Sequence, residues 1–520
     1  MVNWLDNRLL SLYLLPFTIG CLTVLSFQPF NLTIVNFFLL PLLFYLIIFI
    51  KKKSKSIYRK KPFKKNLFKL GTSFGFGFYL SGIHWVTTSL TFDESFKILI
   101  PFSLILIPLF LSLFFSLVIL IIGPFLNLNL ASIFLFSGGL ALSDYIRAKI
   151  LTGFPWNLWA YSFSWSNEII QVLNIIGLYA FNLISITLFL LPSILFFKIN
   201  FNKKVFALSC VVFITFIFYI YGNHSINNNK NNQQQQNERF NTKIISPNFD
   251  LEYNLTEIQI KKRLEKLIRY SEPDKESETL FIWPEGVFSG YSYKEILNLK
   301  EIFSENFGKS HLILFGINRF DNNKKGLYNS MVIVNNRLEI LQEYRKQKLV
   351  PFGEFLPFEK ILKSLGIKKI TEGHSSFLKA TNQANLIINN LNILPLICYE
   401  IIFTKLVQQS DINTNLIINI SEDGWFGNSI GPHQHFAKAI YRAIEHNSFL
   451  LRSANKGISA IINNKGEVLK KLNPDEAGNI QLNVPLIKNK NKNKNDLIFF
   501  VLLITYIFIF NIYKKKKYEK

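Results

Sequence analysis

Three residues in the second half of the chain stand where apolar runs give way to turns, and their types suit acyl-transfer chemistry. In "LFIWPEGVF", Glu285 follows Pro284 directly after such a run. Trp283 and Phe288 flank it and would partly desolvate it, which favours general-base duty. In "YRKQKLVPFGEFLP" (344–357), Lys346 and Lys348 would share one face of an extended segment, and the Pro/Gly turn downstream carries Glu354. A lysine here could stabilise a developing oxyanion, and a second carboxylate could set its position and charge. In "LPLICYEIIF" (394–403), Cys398, Tyr399 and Glu400 close a third apolar run. A helix is expected next, which would put Cys398 near a helix N-terminus, where the dipole favours the thiolate. Each residue also has an ordinary reading: a solvated loop glutamate, one lysine among many, a small buried thiol. Together, a base, a cation and a thiol at three strand ends form the set needed for acyl transfer through a covalent thioester.

The elements that must hold these residues read as an α/β domain. Candidate strands are 242–248, 279–284, 311–318, 328–335, 392–399, 414–421 and 459–464, and candidate helices are 255–270, 293–306, 401–409 and 432–447. Pro432 in the first turn of the last helix is a good start signal. Such alternation argues for a sheet covered by helices, with functional residues where strands end in loops. The polar, low-complexity "NHSINNNKNNQQQQNER" (223–239) reads as a flexible connector before this domain, and "KNKNKNKND" (488–496) as a matching one after it.

The rest of the chain is of a different kind. Of its 520 residues 49 % are hydrophobic and 52 are Phe, a balance that points away from an ordinary soluble protein. Residues 9–30, 31–50, 70–90, 98–122, 125–143, 169–197 and 205–222 carry no Asp, Glu, Lys or Arg, and an eighth apolar run lies at 497–513. Each is long enough to cross a bilayer, which takes about 20 residues. The expected organisation is a seven-span membrane domain (1–222), a polar linker (223–241), a catalytic domain (242–487), and a last segment (488–520) with a linker, the eighth span and a basic tail. The nine Lys and Arg in 51–65 make that loop cytoplasmic, which puts both termini in the cytoplasm and the catalytic domain on the outer face. Arg147 and Lys149 dissent mildly from this orientation. The net charge of +24 does not point to nucleic acid, because the basic residues are scattered or flank apolar runs. Three cysteines, two of them inside apolar runs, leave no pair within the polar part, which argues against a disulfide framework.

With these residues in hand, the order Glu, Lys, Cys resembles the nitrilase (carbon–nitrogen hydrolase) superfamily. "WPEGVF", "YRKQKLVPFGEFLP", "ICYEIIF", "SEDGWFGNSIGPHQH", "LLRSANKGISAII" and "GFPWNLWAYS" look like the apolipoprotein N-acyltransferases. The resemblance covers nearly the whole chain. It implies a polytopic α-helical membrane domain of about eight spans plus a nitrilase-like four-layer αββα sandwich in the periplasm, anchored in a bacterial inner membrane. It implies transfer of a fatty acyl chain from a phospholipid, typically phosphatidylethanolamine, to the α-amino group of the diacylglyceryl-cysteine of apolipoproteins. Cys398 would be the nucleophile, Glu285 the general base and Lys346 the oxyanion-stabilising cation, with Lys348 as the rival lysine. Glu354 would be a second essential glutamate, with Tyr399 and Glu400 supporting the pocket. No cofactor, metal or nucleic-acid partner is implied, and a monomer is expected.

The sequence departs from the family pattern in places. No tryptophan lies between Trp165 and Trp283, so Phe249 or Tyr253 would have to replace one common early in the outer domain. His433 stands where an aromatic is common. His433 and His435 lie two apart on the expected helix, hence on different faces, which speaks against a metal site. Trp425 and Phe426 would either touch acyl chains or pack within their own loop, and Gly153–Trp156 would form a lipid-side rim. The alternative reading is a membrane-anchored nitrilase-like amidase that uses water as acceptor. A transporter is disfavoured because none of the seven N-terminal runs carries a charge.

Overall fold

The computed structural model describes residues 4–54, 62–234, 238–252, 255–364, 369, 376–381, 384–487 and 495–518. The chain divides into two compact units: residues 1–87, 97–224 and 493–520 form one, and residues 88–96 and 225–492 the other.

The first unit is helical: α1 (Leu15–Thr23), α2 (Asn36–Ser54), α3 (Pro62–Ile83), α4 (Ile100–Ile122), α5 (Leu130–Lys149), α6 (Asn167–Ile170), α7 (Leu173–Leu190), the start of α8 (Phe201–Gln234) and α15 (Asn495–Tyr518). Helix is the form such apolar sequence must take in lipid, because each backbone N–H and C=O then pairs within its own segment. Among the described residues five helices are long and apolar enough to cross a membrane: Thr33–Ser54, Glu94–Phe125, Leu173–Phe196, Phe201–Asn229 and Asp496–Lys515. Leu10–Ser26 is a shorter apolar helix. Helices α3 and α5 overlap the runs read at 70–90 and 125–143, but each extends into polar sequence.

Extension of α5 past residue 143 carries Asp144 and Arg147 into the unit's interior, where they pair at 2.8 Å. Asn182 donates to the other Asp144 oxygen at 3.0 Å, and Arg147 donates to the Phe154 carbonyl. Arg147 therefore fastens the 150s segment instead of marking an exposed loop. The stretch expected as a rim is drawn inward with it: Trp156 is buried, stacked on Phe154 and tilted against Trp85.

The polar run at 223–239 is not a separate flexible connector over most of its length, since α8 continues to Gln234. Adding residues to an existing helix avoids the cost of a new nucleus, so weak formers such as Asn extend it cheaply. Asn229 and Asn464, both in the second unit, exchange amide hydrogen bonds at 2.9 Å and hold the end of the helix to the turn that begins after Ile462. Residues 488–494 of the other connector lie outside the described residues.

The second unit is built on two six-stranded sheets, ordered β12-β1-β2-β3-β4-β5 and β11-β10-β9-β8-β7-β6. The first contains β1 (Arg239–Ser246), β2 (Thr279–Ile282), β3 (Leu312–Asp321), β4 (Gly326–Val334), β5 (Ile340–Arg345) and β12 (Gly478–Pro485). The second contains β6 (Leu386–Ile388), β7 (Leu391–Ile397), β8 (Leu416–Glu422), β9 (Phe449–Asn455), β10 (Ser459–Ile462) and β11 (Val468–Leu472). Each has three parallel strands at its centre, β1–β3 and β7–β9, flanked by antiparallel partners.

One apolar core lies between the sheets, with Ile244, Leu314 and Met331 from the first against Ile393, Ile418 and Leu451 from the second. Each such side chain contributes about 1.5–3 kcal/mol on burial. A second core joins the outer face of the first sheet to α9 (Glu257–Ser271), α10 (Tyr293–Ile296) and α11 (Lys300–Asn306). After α12 (Glu359–Ser364), α13 (Thr404–Gln408) and α14 (Gly431–His446) cover the other sheet, so the layers run αββα. Seven of these strands fall where the sequence marked them; β5, β6, β9, β11 and β12 do not appear in that reading.

Candidate active site

The candidate residues sit on connections at the ends of β2, β5 and β7. β2 ends at Ile282, and Glu285 follows a short turn closed by Gly286 at φ +74°, a conformation glycine adopts freely. Trp283 turns the other way, into the helix-side core, where its indole donates to Ser271 at 2.9 Å and Phe288 packs beside it. The two aromatics therefore do not desolvate the Glu285 carboxylate, as their neighbourhood in sequence suggested. Its actual neighbours are polar.

Lys346 is the centre of this cluster. Its ammonium is 1 % exposed, 2.8 Å from Glu354 Oε1 and 3.4 Å from Glu285 Oε1. Asn329 Nδ2 donates to the same two oxygens, at 2.7 Å to Glu285 and 2.8 Å to Glu354. Register explains why: Ser330 of β4 faces Arg345 of β5, so the next pair brings the Lys346 N–H to the Asn329 carbonyl at 2.9 Å. The remaining carboxylate oxygens are held by main chain, Glu354 Oε2 by the Val350 N–H at 2.9 Å and Glu285 Oε2 by the Glu422 N–H at 3.2 Å. Burial by itself would lower the affinity of Lys346 for its proton, but Glu285 and Glu354 outweigh it and raise the ammonium above its ordinary range. The cation is thus permanent. Lys348 departs from the expected shared face because β5 ends at Arg345, and its ammonium lies over the Phe403 ring at 4.9 Å.

Cys398 follows β7 directly and opens a single tight turn, Cys398–Ile402, not a full helix; α13 follows after Phe403. The thiol is buried, and the residue is held at φ +50°, a left-handed conformation that costs a side-chain-bearing residue energy. Burial pushes the thiol up, the Glu285 carboxylate adds to this, and the Lys346 charge offsets it only in part. The resting group is therefore the thiol and not the thiolate expected from a helix N-terminus.

Glu400 links the cysteine turn to the lysine turn. Its fully buried carboxylate accepts from the N–H groups of Gln347 at 2.7 Å, Lys348 at 3.0 Å and Ile397 at 2.9 Å, and from the Tyr344 hydroxyl at 3.0 Å. Burial pushes its carboxyl up to about 7, with these N–H bonds and Lys346 working against the rise. Tyr399 is buried and meets Phe403 edge-on. Trp425 is only partly buried and meets Phe92 edge-on at 5.5 Å, while Phe426 packs on the His435 ring.

Beneath Cys398 lies a cluster that the motifs did not disclose: Asp423, His435 and Arg452, all buried. His433, two residues from His435, is half-buried and separate from it. Among the described residues no group of three or more His, Cys, Asp or Glu has the arrangement to hold a metal ion. Glu422, also unforeseen, is buried with its carboxyl accepting from Gly424 and Asn455. Phe249 lies in the helix-side core under the Arg263 guanidinium, so it offers no substrate surface; Tyr253 is outside the described residues.

Two facing sheets with a glutamate, a lysine and a cysteine at strand ends define a domain of the carbon–nitrogen hydrolase class, and the model of that family, carbon-nitrogen hydrolase, matches residues 255–488. A second model, the apolipoprotein N-acyltransferase N-terminal domain, matches residues 19–191. The chain is 34 % identical over 424 residues to the apolipoprotein N-acyltransferase of Rickettsia typhi, spanning 80 % of this chain and 83 % of that one. It is 30 % identical over 488 residues to the protein of that name from Bradyrhizobium diazoefficiens, spanning 91 % and 89 %. The crystal structure of Saccharomyces cerevisiae Nit3, a nitrilase-superfamily member, matches at 13 % identity with a TM-score of 0.35, over 48 % of this chain and 91 % of that one. The chain belongs to the apolipoprotein N-acyltransferase family. It is a membrane acyltransferase.

Proposed function

We propose that this protein moves a fatty acyl chain from a membrane phospholipid, phosphatidylethanolamine by preference, to the α-amino group of the diacylglyceryl-cysteine of apolipoproteins, through a thioester on Cys398. The observation that carries this reading is a permanent ammonium at Lys346, clamped by Glu285 and Glu354, beside a buried thiol at the end of a strand of the other sheet. A thiol that does not ionise alone requires a base, and an oxyanion formed in so dry a site requires a fixed cation.

In the first half-reaction Glu285 takes the Sγ proton as Sγ bonds to the ester carbonyl carbon. The oxyanion is met by Lys346 Nζ and the N–H of Tyr399. Collapse breaks the carbon–oxygen bond, Glu285 returns the proton to the departing lysophospholipid alkoxide, and the thioester remains. In the second, the lipoprotein amine attacks the thioester and gives a proton to Glu285. The thiolate leaves and recovers that proton. Ping-pong kinetics follow. Glu354 fixes the lysine, and Tyr399, Glu400 and Trp425 shape and support the site. The enzyme works as a monomer in the bacterial inner membrane, with its catalytic unit in the periplasm and both termini in the cytoplasm.

The test uses the purified full chain with phospholipid alone, followed by mass spectrometry of the peptide that contains Cys398. An acyl adduct labile to hydroxylamine, absent from Cys398→Ala, is expected. No adduct on the wild type, or one that persists in Cys398→Ala, overturns the mechanism.

A further inference from the structure

Cys398 is left-handed at φ +50°, and something must hold it there. Its carbonyl oxygen lies 3.3 Å from Nε2 of His435, on α14. His435 Nδ1 is 3.1 Å from Arg452 Nη2 and 3.0 Å from Asp423 Oδ1. Arg452, on β9, is fixed in turn: Nη2 donates to Asp423 Oδ2 at 2.7 Å, Nε to the Ile458 carbonyl at 3.2 Å, and Nη1 to Asn419 Oδ1. Asp423 Oδ1 accepts from the Ser421 hydroxyl at 2.6 Å.

The Cys398 carbonyl fixes the histidine tautomer, because a carbonyl oxygen can only accept. Burial lowers His435 below its ordinary range, so the ring is neutral and carries one N–H. Nδ1 lies between Arg452 Nη2, which can only donate, and Asp423 Oδ1, which can only accept, so its own two neighbours do not choose the tautomer; the carbonyl at Nε2 does. Nε2 then donates to the Cys398 carbonyl. The opposite tautomer would set the Nε2 lone pair against the carbonyl lone pairs. Burial alone would raise the Asp423 carboxyl, but the Arg452 guanidinium holds it far below the usual carboxylate range, so the guanidinium keeps its counter-charge.

The consequence lies in the peptide plane. In a trans peptide the C=O of Cys398 and the N–H of Tyr399 point in opposite directions. Fixing that carbonyl on His435 fixes the Tyr399 N–H on the other side. We propose that His435 is a positioning residue that sets the oxyanion-binding N–H of Tyr399 through the Cys398 carbonyl, with Arg452 and Asp423 holding its ring in place. The inference rests on the reading of Cys398 as the nucleophile.

Two reactions of the same sulfur separate orientation from folding. Acylation by phospholipid builds an oxyanion; alkylation by iodoacetamide does not. In His435→Leu, single-turnover acylation of the full chain should fall roughly 10- to 100-fold, a substantial part of what removal of an oxyanion donor costs. Alkylation, and its pH dependence, should stay within about threefold of wild type. His435→Gln, which can still present an N–H, should recover most of the acylation rate. Arg452→Lys, with one donor group to serve Asp423 and His435, should fall between. If His435→Leu does not accumulate in membranes, the Gln and Lys variants carry the comparison alone. Acylation at the wild-type rate in His435→Leu, or acylation and alkylation falling together in every variant, overturns the proposal. A wild type that forms no thioester would instead remove the reading on which it rests.

Discussion

Replacing Lys346 with Met removes a cation from between two carboxylates and leaves the stem almost unchanged. At 2.8 and 3.4 Å, the contacts to Glu354 and Glu285 correspond to roughly 6 and 5 kcal/mol of attraction at an effective dielectric of about 20, before desolvation is subtracted. The net loss on breaking such a buried pair is about 3–5 kcal/mol, since the partners stay buried with uncompensated charge. In a domain of this size that is roughly 6–20 °C of denaturation midpoint. Lys346→Met leaves Glu285 and Glu354 sharing one Asn329 amide with no cation between them, so the two like charges repel. Removing the second carboxylate should then help: Lys346→Met/Glu354→Gln should be more stable than Lys346→Met, although Glu354→Gln alone is less stable than wild type. The assay is the denaturation midpoint of the four proteins in one detergent at one heating rate, with phospholipid acylation measured in parallel. Acylation should fall at least 100-fold in both Lys346 variants, because the double variant regains stability without regaining an oxyanion partner. Additive losses across the four proteins would refute the charge argument, since contacts in one network must couple.

Two further outcomes follow from the same network. Glu400 holds its proton up to about 7 when folded against 4.5 as a free side chain, so its contribution to stability is fully present below pH 4.5 and is lost as pH rises through 7. The stability advantage of wild type over Glu400→Gln should therefore shrink by up to about 3 kcal/mol between pH 4.5 and pH 8, as read from denaturant midpoints at both ends; an advantage that grows with pH would reverse the assigned direction. Asn329→Asp puts a third carboxyl against Glu285 and Glu354 and should cost roughly 10- to 100-fold in acylation, whereas Asn329→Ser, which keeps one donor, should lose less.

What the sequence disclosed was local. Glu285, Lys346 and Cys398 each close a run of neighbours whose pattern is visible in a short window, and their strands β2 and β7 are buried at nearly every position. β11 and β12 escaped because they are peripheral antiparallel strands with exposed positions such as Leu469 and Gln481, and they lack a continuous apolar run. β9 escaped for the opposite reason. Its centre carries Arg452, a residue that argues against burial until Asp423, 29 positions away, is known to face it. Asn329 and His435 are of the same kind, polar groups whose meaning lies in partners distant along the chain. A signal for Asn329 did exist: an amide inside the apolar run "YNSMVIV" must find a partner when buried. The thiolate expectation failed on magnitude, because a turn of five residues supplies little dipole against full burial and a neighbouring carboxylate.

That failure bears on why such a site suits a lipid ester. Glu285, Lys346, Glu354 and the neutral Cys398 thiol together carry one net negative charge. In the proposed mechanism, moving the Sγ proton to Glu285 leaves that total unchanged and only shifts the charge from carboxylate to sulfur, then to the oxyanion. Creating a new charge in a buried site would cost several kcal/mol; relocating one beside a fixed ammonium costs far less. A pre-formed thiolate would surrender this economy, because a buried sulfur anion beside the Glu285 carboxylate is only partly offset by the Lys346 charge. The raised thiol is therefore consistent with nucleophilic duty, provided that the base lies next to it and the N–H of Tyr399 is already aimed, which is the task assigned above to His435.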